Sequence, residues 1–223
     1  LSDLDIGMND WPCPQLRWDD AYRPDYGKVY RADELRDLEQ FQRYLDVDGD
    51  GICYRSLPGD HPRGAYLIRG SGHNKAGAYT ERSDEYIEVM DRLRRKFDTA
   101  ANLVPEPIIQ RTTNADIAIV SLGSCHGAVE ETRDRLAADG FSSDYLRIRG
   151  FPFCDEVRTF IDSHSRVFVV EQNRDAQLRS LLMTETGIAA ERLVAVLYYG
   201  GEPLSSLDII DVILEEIKQG KAA

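Results

Sequence analysis

From residue 114 onward, short apolar runs alternate with longer segments in which apolar residues recur at helical spacing. Residues 116–122, 144–148, 167–170 and 193–198 are the short runs and predict strands. Residues 128–138, 155–163, 174–186 and 207–218 carry the helical spacing, with Gly140 and Gly187 placed to end two of them. Strand and helix in strict alternation, joined by short loops, predict a parallel sheet with helices on both faces.

Right-handed crossovers make such a domain doubly wound and Rossmann-like. The expected fold class is therefore α/β, a Rossmann-like parallel sheet over 114–223, preceded by an irregular, loop-rich region over 1–113. That first region holds most of the prolines and shows little sustained periodicity. Residues 33–41 predict a short polar helix leading into Tyr44 and Leu45. Ser83 reads as the N-cap of a helix running to about Phe97, with Asp84 and Glu85 in its first turn and Arg94, Arg95 and Lys96 in its last. Ile87, Met90, Leu93 and Phe97 fall on one face of that helix and are expected to be its buried side. Pro105 and Pro107 mark a linker before the regular region.

Charge narrows the partners. The 223 residues carry a formal charge of -12, with a pI of about 4.8. An acidic surface repels phosphate backbones, so neither nucleic acid nor an anionic membrane is an expected partner. No apolar run is long enough to span a bilayer. Cys13, Cys53, Cys125 and Cys154 are scattered, with no Cys-x-x-Cys pair, so no iron–sulfur or zinc ligand run is present. Reduced thiols in a cytoplasmic protein are expected.

Five stretches carry candidate chemistry. Residues 122–128 form the first strand-to-helix turn, whose free amides could hold an anion. The turn lacks the G-x-G-x-x-G pattern of dinucleotide binding, and the simpler reading is a tight turn capped by Ser124, with His126 at the surface. Asp46, Asp48 and Asp50 begin like a calcium loop, but Leu57 stands where a bidentate glutamate belongs, so an acidic Asx turn competes with a weak cation site. Residues 69–77 are glycine-rich around His73 and Asn74, either a mobile tip or a point of close backbone approach. Trp11, Tyr22 and Tyr26 sit among prolines, as interface aromatics or as a local wrap. Residues 171–178 place Asn173 and Arg174 at the carboxyl end of a strand, where open α/β sheets bind ligands or partners.

Taken in order, residues 3–11, 44–52, 69–74, 145–153 and 169–177 resemble the alpha subunit of 2-oxoacid:ferredoxin oxidoreductases, the 2-oxoglutarate type most of all. The resemblance covers essentially the whole chain. It implies an enzyme that oxidatively decarboxylates a 2-oxoacid to an acyl-CoA and passes the electrons to ferredoxin. It further implies thiamine diphosphate and magnesium in the full enzyme, CoA as co-substrate, and an iron–sulfur cluster on a partner beta subunit. Residues 114–223 would match a transketolase C-terminal-like domain, and residues 1–30 the exit from a pyrimidine-binding domain. Neither the glutamate that activates the thiazolium nor the family's tyrosine-proline substrate motif has a counterpart here. The chain is accordingly expected to be the C-terminal part of an alpha subunit, with no catalytic residue of its own and no cofactor bound to it alone. Its role would be to support assembly and the active-site edge, with His73, Asn74, Asn173 and Arg174 as the candidate contacts.

Two other readings compete. One is a stand-alone transketolase-C-like module that holds a small anion or CoA at the first helix N-terminus. The other is an interaction protein that docks through its aromatic arm.

Overall fold

The computed structural model describes residues 3–8, 12–67 and 70–219. The chain forms two compact units, one of Leu1–Pro12 with Val104–Ala223 and one of Cys13–Leu103.

The first unit holds a five-stranded sheet. Its strands are β1 (Ile108–Gln110), β2 (Ile117–Leu122), β3 (Ser143–Ile148), β4 (Val167–Glu171) and β5 (Leu193–Leu197), in the order β1-β3-β2-β4-β5. The last four are mutually parallel, as the alternation predicts. β1 is antiparallel to β3, with Ile109 opposite Leu146, so the sheet extends one strand beyond the expected set. That pairing also places the unit boundary at Leu103 and Val104 instead of at 113 and 114.

Successive side chains of a strand point to opposite faces, and each face is covered. Ala118, Val120 and Val169 pack with residues of α5 (Asp155–Asp162) and α6 (Gln177–Thr186). Ile117, Ile119 and Val170 pack with residues of α4 (Cys125–Ala138) and α7 (Ser206–Lys218). Burial on both faces explains why the strands read as unbroken apolar runs. α4 closes with Gly140 at φ +90° and the Phe141 amide bonded back to the Leu136 carbonyl at 2.9 Å. α7 opens with a capping box between Ser205 and Asp208.

One buried carboxylate secures the start of β3. Asp144 accepts from the Thr112 amide at 2.7 Å and from Arg111 at 3.2 Å, and it faces His164 Nε2 at 3.1 Å. Burial works to raise its pKa, but the bonds from Thr112 and His164 outweigh it and hold the carboxyl below the ordinary carboxylate range.

Among its described residues the second unit contains two α-helices, α2 (Ala32–Asp37) and α3 (Ser83–Ala100), and a short 3-10 helix at Pro62–Gly64, joined by long loops. α2 is shorter than predicted because the chain turns extended at Leu38. Residues 46–51 pack on α3 through polar contacts. Asp46 pairs with Arg95 at 3.1 Å, the Thr99 hydroxyl donates to the Asp50 carbonyl at 2.6 Å, and Arg92 donates to the Gly51 carbonyl at 2.9 Å. α3 departs from the sequence reading in two ways. Its N-cap position is Arg82, with Ser83 already helical. Its buried positions are Val89 and Arg92, while Ile87, Met90 and Phe97 lie exposed, because the loop that packs on this helix does so with backbone carbonyls that attract arginine.

Two predictions follow from this packing. Gly51 has φ +78°, and a Cβ there would strike the backbone of α3 at Lys96. Gly51→Ala is expected to cost roughly 3 kcal/mol in urea unfolding, since strain and overpacking add. Asp144 contributes stability that is present above the unfolded carboxyl pKa and lost as pH falls through its lower folded value. Asp144→Asn should therefore be about 2 kcal/mol less stable at neutral pH. The gap between variant and parent should begin to narrow below about pH 4 and close only below the lowered folded value, and equal stability at neutral pH would refute the argument.

Candidate functional site

In the first unit the chain leaves β2 for β3 on one side and later returns to place β4 on the other. The crevice outside the carboxyl ends of β2 and β4 is therefore the switch point where open α/β sheets take ligands. Gly123 and Ser124 follow β2 there, and Gln172 and Asn173 follow β4.

The chain fills part of this crevice itself. A short helix, α1 (Leu4–Met8), brings two carboxylates to it. The Asp3 carboxylate accepts from the Ser124 amide at 2.6 Å and from the Ser124 hydroxyl at 3.0 Å. Asp5 accepts from the Ser124 hydroxyl at 3.2 Å and from the Gln172 side-chain amide at 3.0 Å. Negative charge at the amides that open a helix is favourable, so Asp3 does what a bound anion would do. It also explains why α4 begins at Cys125, a turn before the predicted Ala128. Ser124 caps by position, but its hydroxyl donates to Asp3 and accepts from no amide of the helix. The Cys125 thiol lies just beneath, and burial pushes its pKa up to about 12, which leaves it a poor nucleophile.

The second helix at this edge is opened in the same manner. Glu171 is the buried last residue of β4, and its carboxylate accepts from the Leu178 amide at 2.7 Å, the Arg179 amide at 3.1 Å and Asn173 Nδ2 at 2.6 Å. Asn173 Oδ1 in turn accepts from the amides of Asp175 and Gln177, and Ala176 sits in the left-handed region at φ +50°. This Asx turn delays α6 from the predicted 174 to Gln177. Beside α1, a cleft of about 540 Å³ opens between Ile6, Gly123, Arg147 and Arg149.

The residues singled out from the sequence fall in separate places. Asn173 and Arg174 belong to the first unit, His73 and Asn74 to the second. Asn173 is occupied with shaping its loop, whereas Arg174 is exposed and pairs only with its neighbour Asp175 at 2.7 Å. Asn74 shapes a loop too, its Oδ1 accepting from the Ala76 and Ala78 amides. His73 stacks on Tyr44 with ring centroids 4.2 Å apart. Arg69 of the same loop, and Asp10 and Trp11 of the arm, lie outside the described residues. Farther along the arm, Trp18 is 86% exposed and Tyr22 67% exposed.

The acidic loop spends its carboxylates internally. Asp48 and Asp50 each lie 2.6 Å from Lys28 Nζ, and Asp46 accepts from the Gly49 and Gly51 amides and pairs with Arg95. Among the described residues no group of three His, Cys, Asp or Glu side chains is arranged to hold a metal ion. What the sequence did not reveal is the cation set, Lys28 and Arg95, since both are distant from the loop in the chain. It also gave no sign of Asp3 at the α4 amides.

No protein-family model matches the chain. It is similar to subunit alpha of 2-oxoacid:ferredoxin oxidoreductase 2 from Aeropyrum pernix, 26% identical over 186 residues, covering 81% of this chain and 28% of that protein. It is likewise similar to the 2-oxoacid:ferredoxin oxidoreductase subunit alpha of Saccharolobus solfataricus, 25% identical over 206 residues, covering 89% of this chain and 31% of that protein. The chain thus spans about three-tenths of the length of the curated relatives it matches. Among solved structures it resembles the 2-oxoglutarate:ferredoxin oxidoreductase from Magnetococcus marinus, determined with 2-oxoglutarate, coenzyme A and succinyl-CoA bound. The TM-score is 0.72 at 22% identity, over 85% of this chain and 32% of that one. The relatives named are oxidoreductase subunits, and the likeness to them runs through most of this chain.

The Glu171 cap makes a local prediction. Glu171→Ala strands two helix amides and Asn173, and should cost about 2 kcal/mol. Amide hydrogen exchange should accelerate first at Leu178 and Arg179; unchanged protection at these two positions would contradict the assignment.

Proposed function

We infer that this chain is the C-terminal part of the alpha subunit of a thiamine diphosphate-dependent 2-oxoacid:ferredoxin oxidoreductase, acting on 2-oxoglutarate. The observation that carries the reading is the likeness to two such alpha subunits over 81% and 89% of the chain. The 2-oxoglutarate preference leans on the fold shared with the Magnetococcus marinus enzyme and on the resemblance read from the sequence.

In the assembled enzyme thiamine diphosphate would supply the carbanion stabilisation that decarboxylation of a 2-oxoacid needs. The described residues of this chain do not fit that group. At the switch point the amide of Ser124, the N-cap residue of α4, donates to the Asp3 carboxylate, which sets a negative charge where a diphosphate would sit, and no cluster of ligands for magnesium is arranged among the described residues. No step is therefore assigned to a residue here.

The chain's own part is support. α3 presents Ile87, Met90 and Phe97 to its surroundings, and the arm presents Leu16 and Trp18. Apolar side chains in that number on an otherwise acidic surface favour packing against the remainder of an enzyme, including a beta subunit. The stand-alone module reading meets an obstacle in Asp3, which already occupies the anion seat that reading requires.

The test is activity of the protein purified from its source together with whatever travels with it. Reduction of ferredoxin by 2-oxoglutarate is expected to require CoA and added thiamine diphosphate. No reduction with any 2-oxoacid of a small panel would overturn the proposal. Within an active enzyme, Arg174→Ala is expected to lower turnover or loosen the complex, because Arg174 stands exposed at the carboxyl edge of the sheet. Parental rates together with an unchanged complex size would remove Arg174 from that role.

A further inference from the structure

The cleft of about 540 Å³ beside α1 is lined by cations and apolar groups, in a chain of net charge -12. Its charged lining residues are Arg147 and Arg149, and no carboxylate is among them. Ile6, Pro105 and Ile108 supply apolar wall, and Gly123 supplies backbone. The volume falls within the range of roughly 300–1,000 Å³ in which small-molecule sites occur.

The sheet places both arginines at this cleft. Arg147 is the last but one residue of β3, and Arg149 follows the strand's end. Ile148 between them is 2% exposed and belongs to the core, as the alternation of a strand requires. Ile108 of β1 stands directly opposite Arg147 in the antiparallel pair. Opposed side chains share a face, so an apolar side chain flanks the guanidinium. Arg147 is half-buried and donates through Nη2 to the Gly123 carbonyl at 3.2 Å, which fixes its direction and leaves its remaining donors available. Arg149 is exposed.

The nearby acids turn elsewhere. Asp3 is bonded to Ser124, and Asp5 to Ser124 and Gln172. The residue of α1 that lines the cleft is Ile6, which lies over Gly123: a Cβ added there would come within 3.2 Å of Ile6 Cδ1. The cleft is thus distinct from the α4 amides, and an anion in it would be held by side chains. A guanidinium is a planar fork of donors that matches paired oxygens.

We propose that this cleft binds a small organic anion, with its carboxylate or phosphate oxygens on Arg147 and Arg149 and its apolar body against Ile6, Pro105 and Ile108. The site lies wholly within the first unit and does not rest on the enzyme reading.

Titration calorimetry on the full chain, in whatever assembly it keeps on purification, tests the proposal. Benzoate and phenyl phosphate are the probes, benzyl alcohol is the neutral control, and chloride fixes the ionic strength. At least one anion is expected to bind saturably at one site per chain, and benzyl alcohol is not. Saturation by benzoate alone assigns a carboxylate ligand, and by phenyl phosphate alone a phosphate ester. Arg149→Gln should weaken binding by about tenfold or more with circular dichroism unchanged, because the side chain is exposed. Ile108→Glu sets a carboxylate opposite Arg147 and should weaken binding at least as much. Saturation by neither anion overturns the proposal. So does equal binding of benzyl alcohol, or binding that Arg149→Gln and Ile108→Glu both leave intact.

Discussion

The first unit depends on how the free amides at the carboxyl edge of its sheet are satisfied. Every helix begins with amides that have no partner within the helix, and burying them unpaired is costly. At this edge two helices begin side by side, and each is opened by a carboxylate of the chain. Asp3 serves α4 from far away in sequence, and Glu171 serves α6 from the strand just before it. Ser124 and Gln172 then join the two systems through a shared hydrogen bond at 2.8 Å. The crevice that this topology ordinarily offers to a ligand is in this way partly sealed.

That sealing bears on what the unit can do. A free helix N-terminus at a switch point is a phosphate seat; one filled by an internal carboxylate is a joint. Asp3 fixes the segment at 3–8 to the sheet, so whatever is attached to that segment is held in register with the sheet edge. The buried Cys125 and Tyr145, both pushed up to about 12 by burial, are of the same character, since neither is prepared to exchange protons near neutral pH.

What could be read from the sequence follows from what periodicity reports. Strands β2 to β5 are buried on both faces and α4 to α7 on one, so their apolar patterns are long and regular. β1 has only three residues, follows two prolines and is partly exposed, and nothing in it rises above its surroundings. The face of α3 was assigned to the wrong side because an apolar stripe predicts burial only when the neighbour is apolar too; here the neighbour is a loop of carbonyls and carboxylates, and Arg92 and Val89 turn toward it. Asn74 and Asn173 were recognised as polar residues in loops, yet their position could not tell a residue that builds a turn from one that meets a ligand. The seat of Asp3 is a contact across some 120 residues, and no local pattern encodes it.

Arginine is where sequence reading and structure diverge furthest. A periodicity count treats every arginine as a surface residue, and Arg111, Arg158 and Arg192 do pair with carboxylates of the sheet and helix ends. Arg43 and Arg92, like Arg133, have rings and carbonyls for company instead.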